Sequence, residues 1–177
     1  MKRKKTKIVL TGYRACGKTS VGEKLAERLA FSFIDTDREI EKRQGRSISR
    51  MVAEQGWDFF RAAERDFLAS LLPAEMLVIA PGGGAILHQD IWRELMATSL
   101  VVWLKADVRT ISRRLTGDIL SPDQRPSLTG EDVLQEVKTV LAAREPLYRA
   151  GSHVAVDAEK PIGQVVDEIA ALWMAAV

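Results

Sequence analysis

The segment from Gly12 to Thr19, GYRACGKT, has the residue types and spacing of a loop that binds phosphate. Its glycines allow the backbone to curl so that successive N–H groups converge on one anion. A helix beginning directly after the loop would add its positive N-terminal end. Lys18 can reach the β- and γ-phosphates of a nucleotide, and the Thr19 hydroxyl can ligate Mg²⁺. The segment therefore predicts a nucleotide-binding loop, with a chance match as the alternative.

We expect the nucleotide to contact this loop and the residue that follows it. The contact residues are Gly12, Arg14, Ala15, Cys16, Gly17, Lys18, Thr19 and Ser20. Cys16 has two interpretations. A thiol at a helix N-terminus is activated as a nucleophile, which would suit a catalytic cysteine. The simpler interpretation is a spacer position that tolerates small residues, and we adopt it.

Two carboxylates follow the apolar run at residues 31–34, namely Asp35 and Asp37. Residues at the carboxyl end of a parallel strand face the crevice where ligands bind. One carboxylate can hold magnesium through water, and the other can orient a hydroxyl group and receive its proton. The alternative is that the pair only caps a helix, since aspartate suits the N-cap position.

Glycines and arginines supply further candidate contacts. Gly82, Gly83 and Gly84 follow another apolar run and would let the backbone approach a ligand closely, or form a flexible turn. Arg61, Arg125 and Arg144 could clamp carboxylate or phosphate groups in bidentate fashion, although each taken singly could be a surface charge. These residue types predict an anionic ligand.

The elements that must position these residues alternate between strands and helices. Most of the short apolar runs lack a period of two, which is typical of strands buried on both faces of a parallel sheet. The predicted strands are residues 7–11, 31–35, 76–80, 100–105 and 153–156. The predicted helices are residues 19–30, 57–72, a segment from 129–132 to about 144 or 148, and 161–175. The alternation predicts an α/β fold with a parallel sheet flanked by helices.

Two regions depart from this alternation. Residues 37–72 predict a long helical insertion between the second and third strands. Residues 116–129 are polar, with two prolines and two glycines, and predict a long loop that acts as a lid or merely as a connector. In the last predicted helix, the stripe facing the core should be Ile162, Val165, Val166, Ile169 and Trp173. The 177 residues are expected to form one domain.

Composition excludes several classes of protein. One cysteine excludes an intrachain disulfide and a cysteine-based zinc site, and only two histidines exclude a histidine-rich metal site. No apolar run approaches the ~18 residues of a membrane span. The net charge of +2 does not indicate nucleic-acid binding, and the basic run at residues 2–5 is typical of a solvated terminus. We expect a cytoplasmic protein without nucleic-acid or membrane partners.

Seven segments together resemble the shikimate kinase family. They are GYRACGKTSVG, FIDTD, GRSI, FFRAAE, PGGGA, RPSLTG and REPLYR, in the family's order and across nearly the whole chain. The resemblance implies a P-loop NTPase fold of the nucleoside monophosphate kinase-like type, with a five-stranded parallel sheet, a helical substrate-binding insertion and a lid loop. It also implies ATP and shikimate as substrates, Mg²⁺ as cofactor and a monomeric enzyme.

The resemblance also implies roles for residues around the acceptor. Asp37 would contact the shikimate hydroxyls. Arg61 and Arg144 would hold the shikimate carboxylate. The substrate-lining glycines would be Gly82, Gly83 and Gly84, with Gly83 the counterpart of the glycine that contacts shikimate.

On the nucleotide side, the resemblance implies that Arg125 is a lid arginine that moves onto the phosphates. Thr19 and Asp35 would hold magnesium, Asp35 through water. Arg114 and Pro161 would lie around the adenine. The expected catalytic residues are Lys18, Asp37 and Arg125.

Three other functions compete with this interpretation. A GTP-dependent switch would need Asn-Lys-x-Asp after a strand, and the chain instead has Leu104-Lys105-Ala106-Asp107. The closer rival is another small-molecule kinase, such as one for gluconate or a nucleotide, but a neutral or phosphate-bearing acceptor would not need Arg61 and Arg144 in this arrangement. A non-catalytic interaction protein with the same fold would not need the full set of expected chemical residues.

Overall fold

The computed structural model describes residues 4–117 and 132–176, and its centre is one parallel β-sheet. The five strands are β1 Lys7–Thr11, β2 Ser32–Asp35, β3 Leu77–Ala80, β4 Ser99–Lys105 and β5 Val154–Asp157. Their order in the sheet is β2-β3-β1-β4-β5, and every neighbouring pair is parallel. The five predicted strands are therefore confirmed, with ends that differ by one residue at most.

Helices connect the strands in the described parts of the chain. They are α1 Lys18–Leu29, α2 Thr36–Gln44, α3 Ile48–Ser70, α4 Gln89–Thr98, α5 Val108–Gly117, α6 Val133–Ala150 and α7 Ile162–Ala176, with a 3₁₀ turn at Ala85–Leu87. Helix α1 packs on α7 and contacts β2 and β3, α4 contacts β4, and α5 packs on α6. No helix of the described ranges is long and apolar enough to cross a membrane.

The core lies along the three central strands, because all residues of β1 and β3 and all but the last of β4 are buried. Burying each Val, Leu or Ile side chain contributes roughly 1.5–3 kcal/mol. Lys7 is buried within β1, and its Nζ donates hydrogen bonds to the carbonyl oxygens of Leu72 (2.7 Å) and Ala74 (2.5 Å). The lysine thereby ties the start of β1 to the segment after α3.

Helices α2 and α3 form the insertion between β2 and β3, which confirms that residues 37–72 are largely helical. Helix α3 begins earlier than the predicted residue 57. The Ser47 side chain caps its first turn by accepting a hydrogen bond from the Arg50 backbone N–H at 3.2 Å. Gly56 interrupts the helix at φ 81° and ψ 170°, so the predicted helix corresponds to the stretch after this break.

Three other expectations need comment. Helix α6 is capped by Asp132 and continues past both predicted ends to Ala150. Residues 116 and 117 of the predicted lid are the last residues of α5, while 118–129, including Arg125, lie outside the described residues. In α7, the prediction for Ile162 is wrong, because this residue is 39% exposed, whereas the other four residues of the stripe are buried.

Candidate active site

A cavity of about 650 Å³ opens where β1, β2 and β3 end. The segments that follow these three strands line it, together with residues that follow β4 and β5. The lining residues include Arg14, Ala15, Cys16, Gly17, Lys18, Thr19, Ser20, Asp35, Asp37, Gly82, Gly83, Arg114, Lys160 and Ile162. The structure thus brings the predicted phosphate loop, the two aspartates and two of the three glycines to one site, as expected for the carboxyl edge of a parallel sheet.

The loop after β1 has the backbone of a phosphate cradle. Gly12 (φ 142°), Ala15 (φ 60°) and Gly17 (φ 101°) all have positive φ angles, and Gly17 is the N-cap of α1. A Cβ atom at Gly12 would lie 2.7 Å from the carbonyl oxygen of Leu104, so no larger residue fits there. The loop therefore leads directly into a helix whose N-terminal end faces the cavity.

Lys18 is folded back over the loop. Its Nζ donates hydrogen bonds to the carbonyl oxygens of Gly12 (2.8 Å) and Tyr13 (2.9 Å). Cys16 is buried, with its Sγ 3.9 Å from the same Nζ. The sulfur of Cys16 is packed inside the loop, which agrees with its interpretation as a spacer residue. The ammonium group is thus held where the phosphates of a bound nucleotide would meet it.

Asp35 caps a helix, which is one of the two interpretations that the sequence left open, and it also contacts the phosphate loop. Its Oδ1 accepts hydrogen bonds from the backbone N–H groups of Asp37 (3.1 Å) and Arg38 (3.3 Å), which makes it the N-cap of α2. Its Oδ2 accepts a hydrogen bond from the Thr19 hydroxyl at 2.7 Å. One carboxylate therefore caps a helix and joins it to the phosphate loop.

The Thr19 and Asp35 oxygens fit the needs of magnesium. Mg²⁺ prefers oxygen ligands and is usually held by one or two carboxylates together with substrate phosphates and water. Within residues 4–117 and 132–176, no group of three or more acidic, histidine or cysteine side chains forms a dedicated metal cage. A hydroxyl and a carboxylate side by side at the phosphate loop are the donor set that such a nucleotide-bound ion uses.

Asp37 lies beside the loop in an unusual electrostatic environment. Its Oδ1 is shielded from solvent and accepts no hydrogen bond from the described part of the chain. Burial, followed by the nearby carboxylates of Glu64 and Asp35, raises the pKa of Asp37 to about 7, against the opposing effect of Lys18 and Arg61. A carboxyl group with a pKa near neutrality is suited to accept a proton.

Two of the three glycines after β3, Gly82 and Gly84, pack against charged side chains, and Gly83 packs against the backbone of the phosphate loop. A Cβ atom at Gly82 would lie 2.6 Å from Asp37 Oδ1 and 2.8 Å from Glu64 Oε1. A Cβ atom at Gly84 would lie 2.4 Å from an Nη atom of Arg61. The glycines therefore allow the turn to lie close to its neighbours and do not serve merely as a flexible turn. Larger side chains at Gly82 or Gly84 would displace the carboxylates or the guanidinium group.

Arg61 of α3 is fixed from several sides. Its Nη1 donates a 2.5 Å hydrogen bond to Glu64 Oε2, one turn further along the helix. The guanidinium group also lies 5.3 Å and 5.2 Å from the ring centroids of Trp57 and Phe60. Arg61 is thus a positioned cation beside Gly84 rather than a free surface charge.

Arg144 lies on α6, where it interacts with the side chain of Tyr148. Tyr148, one turn after Arg144, donates a 2.6 Å hydrogen bond from its hydroxyl to the carbonyl oxygen of Gly83. Burial raises the pKa of Tyr148, and the nearby Arg144 guanidinium partly offsets this rise. The Tyr148 ring stacks on Trp103 with the ring centroids 6.1 Å apart. Arg61 therefore lies beside Gly84, whereas Arg144 is linked to Gly83 through Tyr148.

Arg114 and Pro161 lie on the other side of the loop. Arg114 donates hydrogen bonds to the carbonyl oxygens of Ala15 (3.4 Å) and Ala158 (3.0 Å), and it lines the cavity. Pro161 lies between Lys160 and Ile162, which both line the cavity. The exposed Ile162 is therefore part of the cavity wall, which explains why the helical pattern misassigned it. Arg125 lies outside the described residues.

Sequence reasoning missed several residues of the site. Glu64 could have been found, because it follows Arg61 by three positions and such pairs share one helix face. Tyr148 stands in the REPLYR segment, which begins with the predicted site residue Arg144. Glu136, a buried residue of α6, forms an ion pair with Arg14 of the loop, and His88 contacts Glu64. These last two contacts join distant segments and leave no local signal.

Comparisons with known proteins agree with this geometry. The family model described as shikimate kinase matches residues 14–173. Shikimate kinase 2 of Sodalis glossinidius is 41% identical over 162 residues, covering 92% of both chains. Shikimate kinase of Syntrophus aciditrophicus is 43% identical over 171 residues, covering 92% of this chain and 88% of the relative.

Solved structures give the same result. Shikimate kinase from Acinetobacter baumannii in complex with shikimate has a TM-score of 0.89 and 32% identity, covering 97% of this chain and 94% of that one. A gluconokinase from Sinorhizobium meliloti has a TM-score of 0.62 at 20% identity, covering 98% of this chain and 95% of that one, and so shares the fold. With the family's segments, sheet order and loop geometry all present, the chain belongs to the shikimate kinase family.

Proposed function

We propose that the chain transfers the γ-phosphoryl group of ATP to the 3-hydroxyl of shikimate, giving shikimate 3-phosphate and ADP. The observation that carries this proposal is the meeting of three groups at one edge of the sheet. A phosphate loop with Lys18, the raised-pKa carboxyl of Asp37 and the guanidinium of Arg61 all border the three glycines. Family membership and the shikimate bound to the Acinetobacter kinase support the same acceptor.

ATP would lie with its phosphates on the loop and its adenine toward Arg114 and Pro161. The loop N–H groups and the α1 N-terminus would hold the phosphates. Lys18 would exchange its hydrogen bonds to the Gly12 and Tyr13 carbonyl oxygens for bonds to the β- and γ-phosphates. The proposed ATP contacts are Gly12, Arg14, Ala15, Cys16, Gly17, Lys18, Thr19, Ser20, Arg114, Arg125 and Pro161.

Magnesium would be held by Thr19 directly and by Asp35 through water. It supplies neutralisation of charge on the phosphates. The contribution of the chain is to keep both oxygen ligands at the loop. The 2.7 Å hydrogen bond between the Thr19 hydroxyl and Asp35 Oδ2 already places them together.

Asp37 would orient the acceptor hydroxyl and receive its proton as the oxygen attacks the γ-phosphorus. Ionised Asp37 accepts hydrogen bonds only, and its Oδ1 is available for this because no described group donates to it. In a loose phosphoryl-transfer transition state, most of the catalysis comes from such positioning and from charge neutralisation.

Arg61 and Arg144 would bind the shikimate carboxylate, with Gly82, Gly83 and Gly84 forming the wall against which the ring lies. Guanidinium groups match carboxylates in bidentate geometry, so the pair favours an anionic acceptor over a neutral sugar. The lid, with Arg125 moving onto the phosphates and excluding water, completes the proposal.

A coupled assay of ADP release with and without shikimate tests the function. We expect ADP release to depend on shikimate and on magnesium, with gluconate giving little stimulation because it lacks the rigid ring that spans Asp37 and Arg61. Absence of shikimate-dependent ADP release would overturn the proposal. Faster release with gluconate than with shikimate would point to the rival small-molecule kinase.

We also propose that the enzyme is a monomer that acts in the cytoplasm. Residues of a single chain supply every contact assigned to ATP and shikimate above. The chain's only cysteine is buried in the phosphate loop, which suits a reducing compartment. Light scattering coupled to size-exclusion chromatography would test the first point, because a monomer should give a mass near 19.7 kDa. Cell fractionation would test the second.

A further inference from the structure

Glu64 is a completely buried carboxylate that receives two donors on one oxygen. Its Oε2 accepts a 2.5 Å hydrogen bond from Arg61 Nη1 and contacts His88 Nε2 at 2.9 Å. Because an ionised carboxylate only accepts, Nε2 of His88 is the donor in this contact. The two donors come from different elements, since Arg61 lies on α3 and His88 lies between the 3₁₀ turn and α4.

The other oxygen of Glu64 faces the acceptor side of the cavity. Oε1 accepts no hydrogen bond from the described residues and lies 2.8 Å from the point where a Cβ of Gly82 would stand. Oδ1 of Asp37 lies 2.6 Å from the same point. Two carboxylates therefore face each other across Gly82, and repulsion between them favours any movement that separates Glu64 from its present place.

His88 opposes that movement. Its hydrogen bond holds Oε2 in place, and Arg61 binds the same oxygen. The backbone of His88 is fixed independently, because its N–H donates to Ala85 and its carbonyl oxygen accepts from Trp92. The imidazole is largely shielded, at 11% exposure, so the bond to Glu64 forms in a region where water replaces it poorly.

We propose that His88 is a positioning residue for acceptor recognition, which acts through Glu64 to hold the Arg61 guanidinium against Gly84. The inference rests on the proposed function, because Arg61 is the residue assigned to the shikimate carboxylate. Without the donor at His88, Glu64 has one partner instead of two, and Arg61 loses the fixed acceptor that sets its orientation. Shikimate binding then weakens, while the nucleotide loop is untouched because the hydrogen bonds of Glu64 to Arg61 and His88 do not involve it.

Two substitutions separate the hydrogen bond from the bulk of the ring. His88→Leu replaces the imidazole with an apolar side chain and removes the donor. His88→Gln keeps a donor, since its amide nitrogen can take the place of Nε2. We expect His88→Leu to raise the KM for shikimate about tenfold, as for loss of one hydrogen bond to a charged group. The KM for ATP and kcat should each stay within about threefold, and His88→Gln should restore the shikimate KM to within about threefold of the parent.

Gln89→Ala is the matched control, because it removes a side-chain hydrogen bond to the Ile86 carbonyl oxygen in the same turn without touching Glu64. Its kinetic constants should equal those of the parent. Equal rises in both KM values for His88→Leu, or a failure of His88→Gln to restore the shikimate KM, would assign His88 a structural role only and overturn the inference. If the parent itself releases no ADP with shikimate, the proposed function fails instead, so the two failures are distinguishable.

Discussion

At the scale of single residues, Asp37 carries the largest electrostatic perturbation among the described groups of the cavity. Its pKa of about 7 has burial as first cause and the Glu64 and Asp35 carboxylates next. A base of this kind is protonated below its pKa and ionised above it. The reaction should therefore follow the ionised fraction of Asp37 in the free enzyme.

We expect kcat/KM for shikimate to rise with pH through about 7 and then level, since only ionised Asp37 can accept the hydroxyl proton. Asp37→Asn should lower kcat by about 100-fold or more, as for loss of a positioned base, and should abolish this limb of the profile. Initial rates between pH 5.5 and 9 measure both effects. Near-normal turnover by Asp37→Asn would remove Asp37 from the role of base.

Substitutions of Arg61 and Lys18 should affect different substrates. Arg61→Ala should weaken shikimate binding by about 100-fold, because a bidentate guanidinium–carboxylate contact is lost, with ATP binding nearly unchanged. Lys18→Ala should abolish turnover while shikimate still binds. Titration calorimetry with each ligand alone measures the affinity of each variant for shikimate and for ATP. Equal losses of both affinities in Arg61→Ala would contradict the assignment of this residue to the carboxylate.

At the scale of elements, the turn after β3 and helix α3 fit together only because the turn lacks side chains. Gly84 has a negative φ angle of −96°, so alanine is compatible with its backbone. The obstacle is the guanidinium group of Arg61, which lies 2.4 Å from the position of the added Cβ. That group is the far end of a flexible side chain, so it can move away.

Gly84→Ala should therefore raise the KM for shikimate about tenfold through displacement of Arg61, while the free energy of unfolding changes by less than about 1 kcal/mol. Gly163→Ala in α7 is the control, because a Cβ there meets open space and alanine favours the helix. Kinetics and chemical denaturation are measured on both variants. Severe destabilisation by Gly84→Ala with an unchanged KM would show that the turn serves folding only.

The strands were predictable to within one residue because each is a short apolar run bounded by polar or glycine residues. Helical periodicity predicted the buried face of α7 less accurately. It shows which residues share a face, but it does not show that the first turn of that face borders a cavity, where Ile162 lies. The break at Gly56 also hid the first part of α3. Its positive φ angle depends on tertiary context that a single sequence does not contain.

The site was predictable where chemistry follows a strand end or a fixed spacing, as for Asp35, Asp37 and the phosphate loop. Contacts between segments distant in sequence were not. The Arg14–Glu136 ion pair joins residues 122 positions apart, and the His88–Glu64 contact joins residues 24 positions apart. Arg125 lies outside the described residues, so its lid role stays a prediction.

At the scale of the whole molecule, one cluster of buried side chains includes residues from all the strands except β2, whose Phe33 and Ile34 pack against it. Both halves of the proposed site, the loop and the insertion, rest on this cluster. The chain should therefore unfold as one domain rather than losing the α2–α3 insertion separately.

Calorimetry should show a single transition for the parent protein whose calorimetric and van't Hoff enthalpies agree. Shikimate at 100 times its dissociation constant should stabilise the fold by about 2.7 kcal/mol. The midpoint temperature of the single transition should rise accordingly. Two transitions, with only the lower one responding to shikimate, would indicate that the insertion is an independent unit.

The glycines after β3 also limit how the acceptor site could evolve. At Gly82 and Gly84 the smallest possible enlargement, a single methyl group, meets a charged side chain at 2.6 Å or less. A lineage acquiring a new substrate could therefore not enlarge this wall without displacing the charged groups behind it, on α2 or α3. Each such enlargement would weaken recognition of the old acceptor. The absence of side chains thus acts as a historical constraint on specificity.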